Sequence, residues 1–179
     1  MPSQNTLKNT LKITMSGLLV AIGLIIPMFS PIKILIEPAS FTLASHVAVF
    51  VAMFISPGVA VSVAAGTTIG FFFGGFPPVV VFRAATHIIF ALAGSFYLHK
   101  FMKKNNSFLR LRIFSFCVAI VHALGELVVT SIFYFRGEPT HGFVMSILVL
   151  VGLGTVIHSI VDFEIANIIS LPLKKQKIF

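Results

Sequence analysis

The stretch "GGFPPVVVFRAATHIIFALAGSFYLHK", residues 74–100, decides how this chain folds. Two glycines and two prolines end one helix and start another, because proline lacks the N–H an interior turn requires yet fits a first helical turn. The apolar run that follows, 78–99, is long enough as a helix to cross a hydrocarbon core of about 30 Å. Inside it stand Arg83 and His87, four residues apart and therefore on one helical face. A permanent charge at such depth costs about 2.5 kcal/mol or more and usually faces a partner or a cavity.

Similar apolar runs fill the rest of the chain. Of its 179 residues 57% are hydrophobic and 10% charged, against roughly 25% charged in a soluble domain, and the mean hydropathy is +1.03. This is the composition of an integral membrane protein, with no room for a separate soluble catalytic domain. Proline and glycine breaks at "MFSPIKILIEPAS", "ISPG" and "GGFPP", with polar loops at "HKFMKKNNSFLRLR" and "RGEPTHG", predict one membrane domain over 1–179. The expected fold is an all-α bundle of six transmembrane helices over 11–29, 40–56, 58–74, 78–99, 109–134 and 143–172.

The net charge of +8 does not point to nucleic acid, because the basic residues sit at segment ends, where they suit anionic headgroups. With the N-terminus inside, Lys8, Lys12, Lys100, Lys103, Lys104, Arg110, Arg112, Lys174, Lys175 and Lys177 all fall on the cytoplasmic side. Lys33 and Arg136 remain in outer loops. The asymmetry predicts that both termini are cytoplasmic, which puts Arg83 and His87 in the outer half of the fourth span. The opening residues read as a retained N-terminus rather than a signal peptide. Cys117, the single cysteine, sits in an apolar run as a small buried hydrophobe and offers no disulfide or CxxC motif.

Polar groups recur at the same expected level. "HALGE" sets His122 and Glu126 on one face of span five; "FTLASHVAVF" brings Thr42, Ser45 and His46 to span two. For Arg83 the readings are contact with an anionic ligand, pairing with Glu126, or snorkelling to the interface. His46 is either a structural hydrogen-bonding residue or a ligand contact, and the same choice holds for His87. In "HSIVDFEIANIIS", His158 and Asp162 share a face, but Asp162, Glu164 and Asn167 read as helix-end residues near cytoplasmic water and Lys174 or Lys175. A metal site on His158 and Asp162 would need further ligands, and no HExxH, Walker A or nucleophile-elbow motif occurs. No enzyme, metal or cofactor is expected. On "SGLLVAIG", residues 16–23, Gly17 and Ala21 form a small-xxx-small pair that packs either within the chain or against another membrane subunit. Ala60, Ala64, Ala65, Gly66 and Gly70 make a second small face, read as internal packing. The 20 phenylalanines are read mainly as lipid-facing or core, with a few beside a pocket able to stack on a flat ring.

The first-helix motif "SGLLVAIG" and the segment 37–94, EPASF through FALAG, resemble the S-components, the substrate-binding membrane subunits of energy-coupling factor (ECF) transporters, and within them a niacin-uptake branch. The resemblance implies a vitamin binder in the cell membrane that captures cargo from outside under loops one-to-two and three-to-four. It implies assembly with a membrane coupling subunit, met by the Gly17 and Ala21 face, and with two cytosolic ATPases. Nicotinate would engage Arg83 through its carboxylate and His87 or His46 through its ring nitrogen. Pantothenate suits the same arginine and asks more of Thr42, Ser45 and Glu126; a cationic vitamin is disfavoured by Arg83. The competing readings are a proton-coupled secondary transporter relaying through His122 and Glu126, and a metal-dependent intramembrane enzyme.

Overall fold

Ser3 accepts a hydrogen bond from the Thr6 N–H and so caps the first helix, α1, Gln4–Phe29. In the computed structural model, which describes residues 3–102, 107–135, 142 and 144–175, the chain then folds back as an antiparallel hairpin. Strand β1, Lys33–Ile36, pairs with β2, Ala39–Thr42, with Ile34 opposite Phe41. A short helix α2, Val47–Ile55, follows; Ser56 caps the next helix, α3, Pro57–Phe73, whose first residue is proline. Next come α4, Pro78–Phe101, and α5, Phe108–Tyr134. A π-helical segment, Val144–Leu153, leads into α6, Gly154–Lys175.

The protein is a helical membrane protein, with six α-helices among the described residues, although not every one has the length of a full span. Among the described residues four stretches are long and apolar enough to cross a membrane: Gln4–Phe29, Pro78–Phe101, Phe108–Tyr134 and Val144–Pro172. Helix α3 is shorter at 17 residues, and α2 has only 9, all of them buried. The helix expected over 40–56 cannot start at residue 40, because residues 39–42 are bonded to β1. Just ahead of Val47, the N–H groups of Ala44 and His46 are taken by the Asp162 carboxylate of α6 at 2.8 and 2.9 Å, which ties the start of α2 to α6. Ala44 itself has φ 67°, a left-handed conformation unusual for a residue with a β-carbon. At the far end, Ser95 of α4 donates to the Met53 carbonyl at 2.8 Å. A buried helix end must find such partners, because neither lipid nor apolar side chains can supply them.

Around α2 the other helices close. Phe50 stacks against Phe90 of α4 and Phe163 of α6, with ring centroids 5.4 and 5.5 Å apart. Helix α1 packs on α3 through glycines. A β-carbon on Gly66 would stand 2.6 Å from Val20 Cγ2, and one on Gly70 2.5 Å from Leu24. Ala60 and Ala64 are buried on the same helix, so the second small face is an internal packing surface. Gly17 and Ala21, by contrast, face outward, and a β-carbon on Gly17 would meet nothing within 4 Å. Large apolar side chains such as Ile13, Phe29, Phe72, Val128 and Ile132 also point outward, as a lipid-facing surface requires. Residues 136–141 of the loop "RGEPTHG", Arg136 among them, lie outside the described residues, as do Lys103, Lys104 and Lys177 and the side chains of Lys174 and Lys175.

Replacing Gly66 with valine should destabilise the protein by about 1–3 kcal/mol through overpacking, while Gly17→Val should stay within about 0.5 kcal/mol. Thermal unfolding in detergent checks this, and equal losses in both variants would contradict the α1–α3 contact.

Candidate functional site

Helices α4, α5 and α6 each present polar residues one turn apart, and the fold brings these faces together. The Glu126 carboxylate is where they meet. One oxygen, Oε2, accepts from Arg83 Nη2 of α4 at 2.7 Å and from the Thr155 hydroxyl of α6 at 2.7 Å. The other, Oε1, lies 3.6 Å from His87 Nε2 and 3.4 Å from His122 Nε2. Arg83 is only 6% exposed and Glu126 3%, so Arg83 does not snorkel; it is held as a buried, charge-assisted pair.

The second carboxylate, Asp162, is 0% exposed. Besides holding the two backbone N–H groups ahead of α2, its Oδ2 lies 3.2 Å from His46 Nδ1 and 3.3 Å from His158 Nε2. Ser45 Oγ bridges His46 Nδ1 and His158 Nε2 at 3.2 and 3.1 Å. The helix-end reading of Asp162 is therefore overturned: the carboxylate is fully buried, and its partners among the described residues are the backbone ahead of α2 and two imidazoles. Glu164, two residues on, pairs with Arg112 of α5.

Four imidazoles consequently pack edge to face in one cluster. His46 lies at its centre, with ring centroids 4.7, 4.6 and 5.0 Å from His87, His122 and His158. His122 also shares a hydrogen bond between Nδ1 and Ser159 Oγ at 3.2 Å. Above the cluster opens a cavity of about 450 Å³, whose wall includes Thr42, Ser45, His46, Arg83, His87, Glu126 and His158. That volume suits a small organic molecule. The hairpin and the α3–α4 turn both contribute to it, through Phe41 and through Phe76 with Pro77. Phe41 sits over Gly154, where a β-carbon would approach its ring to 2.6 Å, and its ring centroid is 5.4 Å from that of His158. A second cavity, about 500 Å³ between α4 and α5, is lined largely by apolar groups such as Phe114, Val118 and Val121. It lacks converging polar side chains, so the first cavity is the candidate site.

All seven residues expected at the site are thus gathered: Thr42, Ser45, His46, Arg83, His87 and Glu126 line the cavity, and His122 lies directly beneath them. His158, Asp162, Thr155 and Ser159 were not expected there. The signal for the first two was the His-x-x-x-Asp spacing in α6, the same spacing that marks His122 and Glu126 in α5. Thr155 and Ser159 carry no signal beyond lying on that face.

A multi-pass helical membrane protein enclosing a polar cavity is a candidate binder of a small molecule. No family model matches the chain, and no solved structure matches it. The niacin transporter NiaX of Lactococcus lactis subsp. cremoris (strain MG1363) is 38% identical over 153 residues, a match spanning 84% of this chain and 69% of that protein. The chain belongs to the family of this niacin transporter, the niacin-specific branch of the S-components that residues 16–23 and 37–94 resemble.

Leucine at Glu126 should cost about 3–5 kcal/mol by leaving Arg83 buried without its anion, and Arg83→Met combined with Glu126→Leu should recover most of that loss. Denaturation of the two variants decides this: a double variant no more stable than the single one contradicts the buried pair.

Proposed function

We propose that the chain is the substrate-binding subunit of a vitamin importer and that its cargo is nicotinate. The observation that carries this reading is Arg83 in the wall of the 450 Å³ cavity. Only its Nη2 is engaged by Glu126, and its buried Nε makes no hydrogen bond. A carboxylate is the group that best satisfies the remaining guanidinium donors. The relative at 38% identity is a niacin transporter, and nicotinate combines one carboxylate with a flat ring. Phe71 and Phe76, 4.6 Å apart between ring centroids, offer that ring an aromatic wall. His87 or His46 would contact its nitrogen. Ser45 and Thr42 complete the polar lining, while Glu126 and His122 hold Arg83 and the imidazole cluster in place.

The orientation in this reading has both termini cytoplasmic and the cavity toward the outside, where the hairpin and the α3–α4 turn form the cap. The basic ends of the chain, including Lys8, Lys12, Lys100, Arg110 and Arg112, then face the anionic inner leaflet. In this reading transport across the cell membrane uses a membrane coupling subunit and two ATPases, with which the lack of a nucleotide motif in the sequence is consistent. The outward Gly17 and Ala21 face, with no side chain larger than a methyl group to hold a neighbouring helix away, is the surface for the coupling subunit.

Arg83→Ala should weaken nicotinate binding to the purified chain by about 1.5–3 kcal/mol, the scale of a charged hydrogen bond; unchanged affinity in calorimetry would remove Arg83 from the site. Leucine at Gly17 or Ala21 should impair uptake in cells while sparing binding. Nicotinate accumulation by liposomes holding this chain alone would instead favour the secondary transporter.

A further inference from the structure

The imidazole cluster holds more donor atoms than a carboxylate ligand needs. One ligand atom from each of His46, His87, His122 and Glu126 can be chosen so that all four lie within 4.8 Å of one another, and all four residues are buried. A tetrahedral zinc site with bonds of about 2.0–2.1 Å has ligand atoms roughly 3.4 Å apart. His122 Nε2 and His87 Nε2 already stand 3.4 and 3.6 Å from Glu126 Oε1. Both contacts are long for a hydrogen bond, so Glu126 alone satisfies neither buried nitrogen well.

The atoms behind these donors are engaged. Asp162 and Ser45 occupy Nδ1 of His46, which leaves Nε2 as its donor. Ser159 occupies Nδ1 of His122, which leaves its Nε2 toward Glu126. Arg83 and Thr155 occupy Oε2 of Glu126, which leaves Oε1. Outer partners of this kind, including a carboxylate behind a histidine, orient metal-binding side chains and raise their basicity. Charge points the same way. Arg83 stands against the two carboxylates Glu126 and Asp162 beneath the cavity, and a bound dication would shift that balance toward an anionic cargo. At the cavity mouth Lys33 and Glu37 offset each other.

We propose that His46, His87, His122 and Glu126 bind one divalent transition-metal ion, of the Zn²⁺ class by its nitrogen and carboxylate donors, and that this ion supplies the positive charge that lets the cavity accept an anion. The metal half goes beyond the transport reading; the cargo half rests on nicotinate being the ligand.

The test uses the full chain, purified in detergent without a polyhistidine tag, stripped with chelator and titrated with Zn²⁺ or Co²⁺ alone. One ion per chain is expected, with Co²⁺ giving visible d–d absorption of a nitrogen and oxygen site. His122→Asn should abolish that spectrum, while His99→Ala, a histidine outside the cluster, should keep it. Thermal unfolding of each variant separates lost ligation from lost folding. Nicotinate affinity should fall at least about tenfold after metal removal and return with Zn²⁺. Absence of stoichiometric metal in the wild-type chain overturns the proposal, as does nicotinate binding of equal strength to stripped and loaded protein. In that last case the vitamin reading still stands. One bound ion with no nicotinate binding in either form would instead leave a metal site, and defeat the cargo half together with the vitamin reading.

Discussion

The Glu126 carboxylate is the point on which three helices agree. Taking an arginine and a glutamate out of water is costly, and their attraction repays this only when the remaining donors and acceptors are also satisfied. Here Arg83 comes from α4, Glu126 from α5 and the Thr155 hydroxyl from α6, so the pair can form only when those helices sit in one register. That register in turn fixes the imidazoles of His87 and His122 on either side of Oε1. A second buried carboxylate, Asp162, does the same for the short helix α2, holding the backbone ahead of it and the His46 ring together. The two anions are thus both structural ties and the electrostatic floor of the cavity.

Shortness of α2 is what makes space for the site. A helix of full span at that position would fill the region that the hairpin and the cavity occupy. Ending helical structure at Val47 lets residues 33–42 fold over as a hairpin and seat Phe41 on Gly154. The cavity is therefore walled by helices at depth and by a hairpin and a tight turn at its mouth, which have fewer packed neighbours than the helices. Elements of lower local stability are those that move when ligands enter.

Much of this was legible in the sequence, for physical reasons that differ from residue to residue. Charged and titratable side chains in apolar runs stand out, and their four-residue spacing put Arg83 with His87 and His122 with Glu126 on common faces. The hairpin and the length of α2 were not legible. The apolar run 47–55 reads the same whether it is a whole span or a buried half-length helix, and its start depends on Asp162, a residue 116 positions from His46. Asp162 itself was misplaced because depth was counted from the end of the chain, whereas the π-helical segment and α6 share one long path through the bundle. Likewise, Gly17 and Gly23 look alike in the sequence. Only the position of Thr67 on α3 shows that Gly23 faces inward, where a β-carbon would come within 2.6 Å, while Gly17 faces out.

In the reading proposed above, the buried polar cluster is a recognition site for a small aromatic carboxylate rather than a structural knot. Equilibrium binding of radiolabelled nicotinate to the purified chain, with nicotinamide, benzoate and pantothenate as competitors, tests this most directly. Saturable binding at one nicotinate per chain is expected, with weaker competition from nicotinamide, which lacks the anion, and from benzoate, which lacks the ring nitrogen. Absence of saturable nicotinate binding, or displacement by nicotinamide as effective as by nicotinate itself, would contradict it.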